Sequence, residues 1–318
     1  MRISSHRFLI ALALATLTLT SVSVGATAAT HASHRPAAHG EFPVTVHAAN
    51  GAVTIPTRPT AIVSLSPTAT EMLYAIGAGS QVKAVDSYST YPPQAPVTKL
   101  NGYDPNVEAI AKYRPDLVVV ASDSAGFAKQ MANLKIPVIY DPAAATLADA
   151  YRQYLTLGVA TGHLAGATAE VASIKAKIAH VVATTPRVAK NTTYYYELDP
   201  TYYSVTSSTF VGQLLGLIGL KSIADVKGSA ANGGYPQLNA EYILKANPTY
   251  IILADTVCCK ATAASVAARP GWSALSAVTH HRIVALNDSI ASQWGPRITI
   301  LLSDVARAVE RSRTNAKS

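Results

Sequence analysis

The sequence predicts an α/β protein of two lobes, each built on a central parallel sheet and joined by one long α-helix. Three observations carry that expectation. Short β-branched runs alternate with helical stretches, as a doubly wound parallel sheet requires. Residues 147–183 hold no strand signal and divide this alternation into two halves. Finally, one segment is written twice: NVEAIAKYRPDLVVVAS (106–122) returns as NAEYILKANPTYIILAD (239–255). At a spacing of 133 residues the pairs Asn106/Asn239, Glu108/Glu241, Ile110/Ile243, Lys112/Lys245, Pro115/Pro248 and Ala121/Ala254 are identical. Each copy reads as an Asn N-cap, a short helix with Glu in its first turn, a Pro stop and an apolar strand.

Residues 1–29 read as a secretory signal peptide, with Arg2 and Arg7, an apolar run from Phe8 to Leu19, and small residues at Ala26, Ala28 and Ala29. No Cys lies near the cleavage site, so no lipid-anchor motif is expected, and no later apolar run reaches the length of a membrane span. The mature chain is expected to be exported and soluble, on the periplasmic or extracellular face. Residues 30–57 form a polar lead followed by alternating residues around Asn50-Gly51, the favoured two-residue hairpin turn.

The first lobe spans 58–160. AIVSL (61–65) is a buried strand, and Ser66-Pro67 supplies an N-cap with Pro at the first position of a helix reaching Gly77. Thr68-x-x-Glu71 matches a capping box, which gives Glu71 a structural role. VKAVD (82–86), LVVVAS (117–122) and PVIYD (137–141) are further strands. Thr161-Gly162 then breaks the chain, and LAGATAEVASIKAKIAHVVA forms an interlobe helix within 161–184, about 20 residues and roughly 30 Å long. The second lobe, 185–310, contains TTYYYEL (192–198), YYSVT (202–206), the repeated unit, RIVAL (282–286) and a helix from Pro296 to Val309. A basic tail, 311–318, closes the chain.

The net charge of +8 does not indicate nucleic-acid binding. Residues 1–40 carry three Arg and no acid, and the tail from Arg307 has four basic residues against Glu310. The body retains about +2, with no basic stripe interleaved with aromatics. The chain has 16 Tyr but only 4 Phe. In open α/β sheets, ligands lie beyond the carboxyl ends of the strands, and several tyrosines occupy such segments: Tyr88, Tyr91, Tyr202, Tyr203 and Tyr235. A large apolar face with a hydrogen-bonding tip suits a bulky amphipathic ligand.

AIVSLSPTATEMLYAIGAG, DSYSTYPPQAP, NGYDPNVEAIAKYRPDLVVVASD, GYPQLNAEYILKANPTYIILAD and ASQWGPR, in that order, resemble the substrate-binding proteins of ABC importers for cobalamin, iron-siderophores and haem, the class III periplasmic binding proteins. The likeness covers nearly all of residues 42–310. It implies two Rossmann-like lobes on a single helical backbone, and delivery of a ligand to a dimeric permease driven by a cytoplasmic ATPase. It also implies that one Glu on each lobe docks into basic pockets of the permease, here Glu108 and Glu241. SYSTYPPQAP is similar to the cobalamin-binding branch, whose cleft aromatic matches Tyr88. A Trp of that branch corresponds to Tyr235, and a further first-lobe aromatic is matched only loosely by the displaced Tyr103. The leading hairpin resembles siderophore-binding relatives instead. Trp294 and Arg297 follow the last strand where the cleft would close, and a cationic Arg would suit carboxylate or hydroxamate chelates.

The His residues do not converge: His31, His34 and His39 lie in the lead, His163 and His180 bracket the interlobe helix, and His280-His281 form a turn. No metal site or cofactor is therefore expected, although the ligand itself would bring Co or Fe. Cys258 and Cys259 are adjacent and follow the strand YIILAD; in an exported protein two Cys usually pair, so a strained vicinal disulfide is expected as one alternative. No G-x-S-x-G elbow or GxGxxG follows a strand, and GQLLGLIGLKS fails the phosphate-loop pattern because Leu220 precedes Lys221. The expectation is a monomeric binding protein rather than an enzyme; a secreted α/β enzyme, a cell-surface binding protein or a haem binder on the same fold are the alternatives.

Overall fold

The structure, a computed structural model, describes residues 42–228 and 232–315. The signal-peptide reading, the His cluster of the lead and the end of the basic tail lie outside the described residues. The chain opens with a hairpin of β1 (Val44–Ala48) and β2 (Gly51–Ile55), antiparallel with Ala48 opposite Gly51. Gly51 has φ +97°, a conformation that the two-residue turn demands and glycine adopts without strain.

The first lobe runs β3 (Ile62–Leu65), α1 (Pro67–Ala75), β4 (Val82–Val85), α2 (Val107–Ala111), β5 (Leu117–Val120), α3 (Phe127–Asn133) and β6 (Val138–Tyr140). Its four strands are parallel in the order β4-β3-β5-β6. All four residues of β3 and of β5 are buried, as strands covered on both faces must be. Asn50 at the hairpin turn donates to Val138 O and accepts from Tyr140 N, which pins the hairpin to β6.

Next come α4 (Leu147–Thr161) and α5 (Leu164–Thr184). A Thr146/Asp149 capping box starts α4, and Gly162, left-handed at φ +73°, ends it. The 21-residue α5 is the predicted interlobe helix. It buries Ala167, Val171, Ile174 and Ile178, a stripe at helical spacing, and packs on α4 and α1.

The second lobe runs β7 (Thr193–Glu197), α6 (Phe210–Gly216), β8 (Lys221–Ser222), α7 (Ala240–Ala246), β9 (Tyr250–Leu253), α8 (Ala263–Ala267), α9 (Ser276–Thr279), β10 (Ile283–Ala285), α10 (Asp288–Ala291) and α11 (Ile298–Asn315). Its parallel sheet has the order β10-β9-β7-β8. Numbered by first appearance, both sheets read 2-1-3-4. The repeated segment supplies the third strand and the preceding helix in each. α11 returns to pack on α5, and one hydrophobic cluster runs through both lobes by way of α4, α5 and α11.

Three expectations need correction. YYSVT (202–206) is not a strand: only Tyr203 makes an isolated bridge, to Gln237, and Tyr202 is left-handed at φ +70°, which no strand tolerates. The edge strand is instead the two-residue β8, too short to leave a periodic signal. Thr68-x-x-Glu71 is not a capping box, because Ser66 caps α1 by accepting from Ala69 N while Glu71 is buried elsewhere. The last helix begins at Ile298 and continues past Val309 to Asn315, over a stretch with no Gly or Pro to stop it.

Candidate functional site

The carboxyl ends of both sheets face a common seam, and the polar contacts described below cross it from segments beyond strand ends. Arg297, preceding α11, donates from Nε to the Glu71 Oε2 of α1 at 3.0 Å and pairs its Nη2 with Oε1. The same Nη2 donates to Ser289 Oγ at 3.1 Å, and the guanidinium lies 4.1 Å from the centre of the Tyr91 ring. Trp294 Nε1 donates to Gln153 Oε1 of α4 at 2.6 Å, and Gln153 in turn donates to Pro142 O. Gln213 of α6 reaches Ala145 O, beyond β6. Burial raises the Glu71 pKa, and the hydrogen bonds and charge of Arg297 pull it back. Arg297 is therefore already neutralised by a carboxylate of the other lobe, and Trp294 is half-buried against the shared core.

The tyrosines range from fully buried to largely exposed. Tyr194, Tyr195 and Tyr196 of β7 are completely buried, as is Tyr154. Tyr88, Tyr91, Tyr103, Tyr203 and Tyr235 are 41–75% exposed, and each lies on a segment leading from a strand to the next α-helix. Tyr88 and Tyr103 meet edge to face, with centroids 5.4 Å apart. Their loop is held from behind by a buried polar chain. Thr70 Oγ1 bridges Ser64 and Ser89, and Ser89 donates to the Asp86 carboxylate, whose pKa burial raises. Gly102 in this loop cannot carry a side chain, because a Cβ there would lie 2.4 Å from Leu65 O. Tyr235 sits four residues before Asn239, as Tyr103 sits three before Asn106, so an exposed aromatic precedes each repeated helix. Tyr202 does not join them. It turns inward and stacks on buried Trp272 at 6.0 Å, beside Arg269.

Asn106 accepts from Ala109 N and Asn239 from Tyr242 N, so both copies of the repeat begin with the same cap. Glu108 and Glu241 are exposed in the first turns, one per lobe. Cys258 and Cys259 carry free, exposed thiols in this structure, the reduced form of the two alternatives. The turn that bears them hydrogen-bonds its Val257 and Cys258 N–H groups to Asp288. Sequence reasoning missed Gln153 and the crossing role of Glu71. Their partners lie 141 and 226 residues away, beyond any local motif. Among the described residues, no helix is long and apolar enough to cross a membrane, and no group of three or more His, Cys, Asp or Glu is placed to hold a metal ion.

Two parallel-sheet lobes of identical strand order, bridged by one helix and meeting at their carboxyl ends, define a two-lobed ligand-capture protein. The family model "Periplasmic binding protein" matches residues 62–290, and the chain belongs to that family. An uncharacterized ABC transporter substrate-binding lipoprotein of Bacillus subtilis (strain 168) is 32% identical over 84% of this chain and 86% of its own. A cobalamin-binding protein of Halobacterium salinarum is 29% identical over 89% of this chain and 80% of its own. Among solved structures, the vitamin B12 binding protein of Vibrio cholerae has a TM-score of 0.65 at 21% identity, covering 80% of this chain and 98% of that one. A heme binding protein has a TM-score of 0.66 at 18% identity, covering 86% and 91%. An Fe3+-hydroxamate transport protein of Saccharomonospora viridis has a TM-score of 0.65 at 20% identity, covering 84% and 99%.

Proposed function

We propose that this chain is the exported receptor of an ABC importer that captures a corrinoid of the cobalamin class between its lobes. The observation that carries the reading is the set of five exposed tyrosines in segments that lead from a strand to the next α-helix on both sides of the seam. Tyr154 and Tyr194–Tyr196, by contrast, are fully buried in the core. Exposed aromatic faces on a polar-backed loop are costly unless something flat and partly apolar covers them. Tyr88, Tyr91, Tyr103, Tyr203 and Tyr235 would line that surface. Tyr202 would support it from behind, and Trp294 and Arg297 would close its floor. The name of the Halobacterium relative supports the corrinoid; the heme and hydroxamate binders of the same fold make iron chelates the second reading.

Glu108 and Glu241, exposed at matching places on the two lobes, would dock the loaded protein onto basic pockets of a two-fold permease. The ligand would be handed on unchanged, with no step of catalysis. Titration of the purified protein with cyanocobalamin, ferric hydroxamates and haemin, followed by Tyr and Trp fluorescence, tests the reading. Saturable quenching by cyanocobalamin is expected. Silence from all three would sink the ligand class.

A further inference from the structure

The repeat makes the Cys258–Cys259 turn conspicuous, because the corresponding turn of the first lobe carries Ala125-Gly126 and no sulfur. Two thiols on neighbouring residues stand exposed beyond β9, on a turn wound tightly about one carbonyl. Cys259 N and Ala261 N both donate to Asp255 O, at 3.2 and 3.3 Å, and Cys258 Sγ lies 3.8 Å from the same oxygen. From the outside, the Asp288 carboxylate receives Cys258 N at 2.7 Å, Val257 N at 2.8 Å and the Thr256 hydroxyl. The neighbour of Asp288 in α10 is Ser289, which accepts from Arg297 Nη2, the group that bridges to Glu71 in the other lobe. The thiol turn and the interlobe bridge thus share one four-residue helix.

We propose that Cys258 and Cys259 form a reversible two-thiol oxidation site, which takes a small-molecule disulfide as oxidant and yields a vicinal disulfide. The Cys259 thiolate attacks one sulfur of the oxidant and expels its partner as a thiol, leaving a mixed disulfide on Cys259. Cys258 then gives its proton to water and attacks the Cys259 sulfur, releasing the second thiol. The protein loses two hydrogens and two electrons, and the small disulfide accepts them to become two thiols. Cys259 acts first because Cys258 is the more tightly tied into the turn, its N–H held by Asp288 and its Sγ 3.8 Å from Asp255 O. Neighbouring Cα atoms are about 3.8 Å apart, below the usual disulfide range, so the bridge is strained and easily reduced. Closing it also disturbs the hydrogen bonds that Cys258 N and Cys259 N make in the turn, and through Asp288 this loosens α10.

The experiment treats the purified protein with oxidised glutathione, then reads intact mass and maleimide labelling. Wild type is expected to lose two hydrogens and both reactive thiols, and to recover them in excess reduced glutathione. Cys258→Ser should stop at one stable glutathione adduct on Cys259. Asp288→Asn, which weakens the bonds that pin Cys258 N and Val257 N in the turn, should speed ring closure several-fold. Stable glutathione adducts on wild type, chain-to-chain crosslinks, or thiols that persist after Cys258→Ser has reacted would overturn the proposal. An unchanged closure rate in Asp288→Asn would overturn the role given to Asp288. None of these readouts involves the cleft ligand, so they stand or fall apart from the corrinoid reading.

Discussion

The two lobes share a framework and differ at their strand ends. Both have the strand order 2-1-3-4, and both place the repeated helix and strand at the same point in it. The likeness reaches single residues. Arg114 and Asn247, each just before the repeated Pro, are both left-handed, at φ +48° and +45°. Asp116 Oδ1 accepts from Ala61 N at the foot of β3, and at the matching place Thr249 Oγ1 accepts from Thr193 N at the foot of β7. Beyond the strands the likeness stops. Where the first lobe has Leu65 and Ser122, the second has Glu197 and Asp255, both fully buried. Arg269 clamps Glu197 with two 2.6 Å bonds and lies against Trp272. The repeat keeps an outward Glu on a common frame in each lobe, as docking on a two-fold partner would require under the proposed function. The strand ends differ, as two lobes that meet different faces of one asymmetric ligand would.

The largest effect expected from this comparison is on transport. Charge reversal at Glu108 and Glu241 together should leave ligand affinity and melting temperature unchanged and reduce uptake by roughly tenfold or more, equivalent to about 1.4 kcal/mol of docking free energy or greater. Each single reversal should cause a comparable loss. If one lobe's Glu proved silent, the symmetric docking reading would break. A fall in ligand affinity would place these residues in the cleft instead.

Stability is the next scale. Glu197→Ala strands the Arg269 guanidinium, whose side chain is 19% exposed, inside the second lobe. Loss of one partner of a buried pair costs about 3–5 kcal/mol, read as the shift of a urea midpoint. Glu71→Gln removes a pair of similar depth but one that spans the lobes, and Arg297 can still lie over Tyr91. Its cost should be smaller, about 2–3 kcal/mol, and should come with a larger scattering radius. An unchanged radius would mean that the lobes are held by the α4–α5–α11 core alone.

Much of this frame was legible in the sequence because its signals are local. The repeat, the Asn caps, the Gly162 stop and the Asn50-Gly51 turn each lie within a few residues. β8 escaped because two residues make no period. Glu71 was assigned to a cap because Thr68-x-x-Glu71 satisfies the cap pattern, whereas its real partner, Arg297, is set by how the lobes meet. Tyr194–Tyr196 and the exposed tyrosines are alike in composition, and only the fold separates core from rim.

A smaller effect depends on pH. The Asp255 carboxyl is pushed up to about 7 by burial and by the nearby Glu197, and neither of its oxygens has a hydrogen-bond partner. With a folded value above the unfolded one of about 3.9, the group's contribution to stability is fully present below pH 4. It is lost as pH climbs through 7, because the folded state must then release a proton it prefers to keep. Asp255→Asn should therefore gain on wild type as pH rises, by on the order of 1–2 kcal/mol more at pH 8 than at pH 5. Thermal melts at the two pH values check this.

The smallest effect tests how closely the two copies of the repeat remain equivalent. At φ near +45° an L-residue with a long side chain is strained, whereas Asn tolerates the left-handed region because its short side chain bonds locally. The second lobe already has Asn at this place, and Asn247 Oδ1 accepts from Ser276 N at 2.7 Å. The first lobe has the exposed Arg114. Arg114→Asn should stabilise the protein by about 0.5–1 kcal/mol, a rise of a few degrees at most in melting temperature. Asn247→Arg should cost more than that gain, because it also strands the Ser276 N–H. Opposite signs with unequal sizes would establish one backbone solution used twice. Equal and opposite values would mean that the Asn247–Ser276 bond contributes nothing, and a loss in Arg114→Asn would show that Arg114 is held by contacts that outweigh its strain.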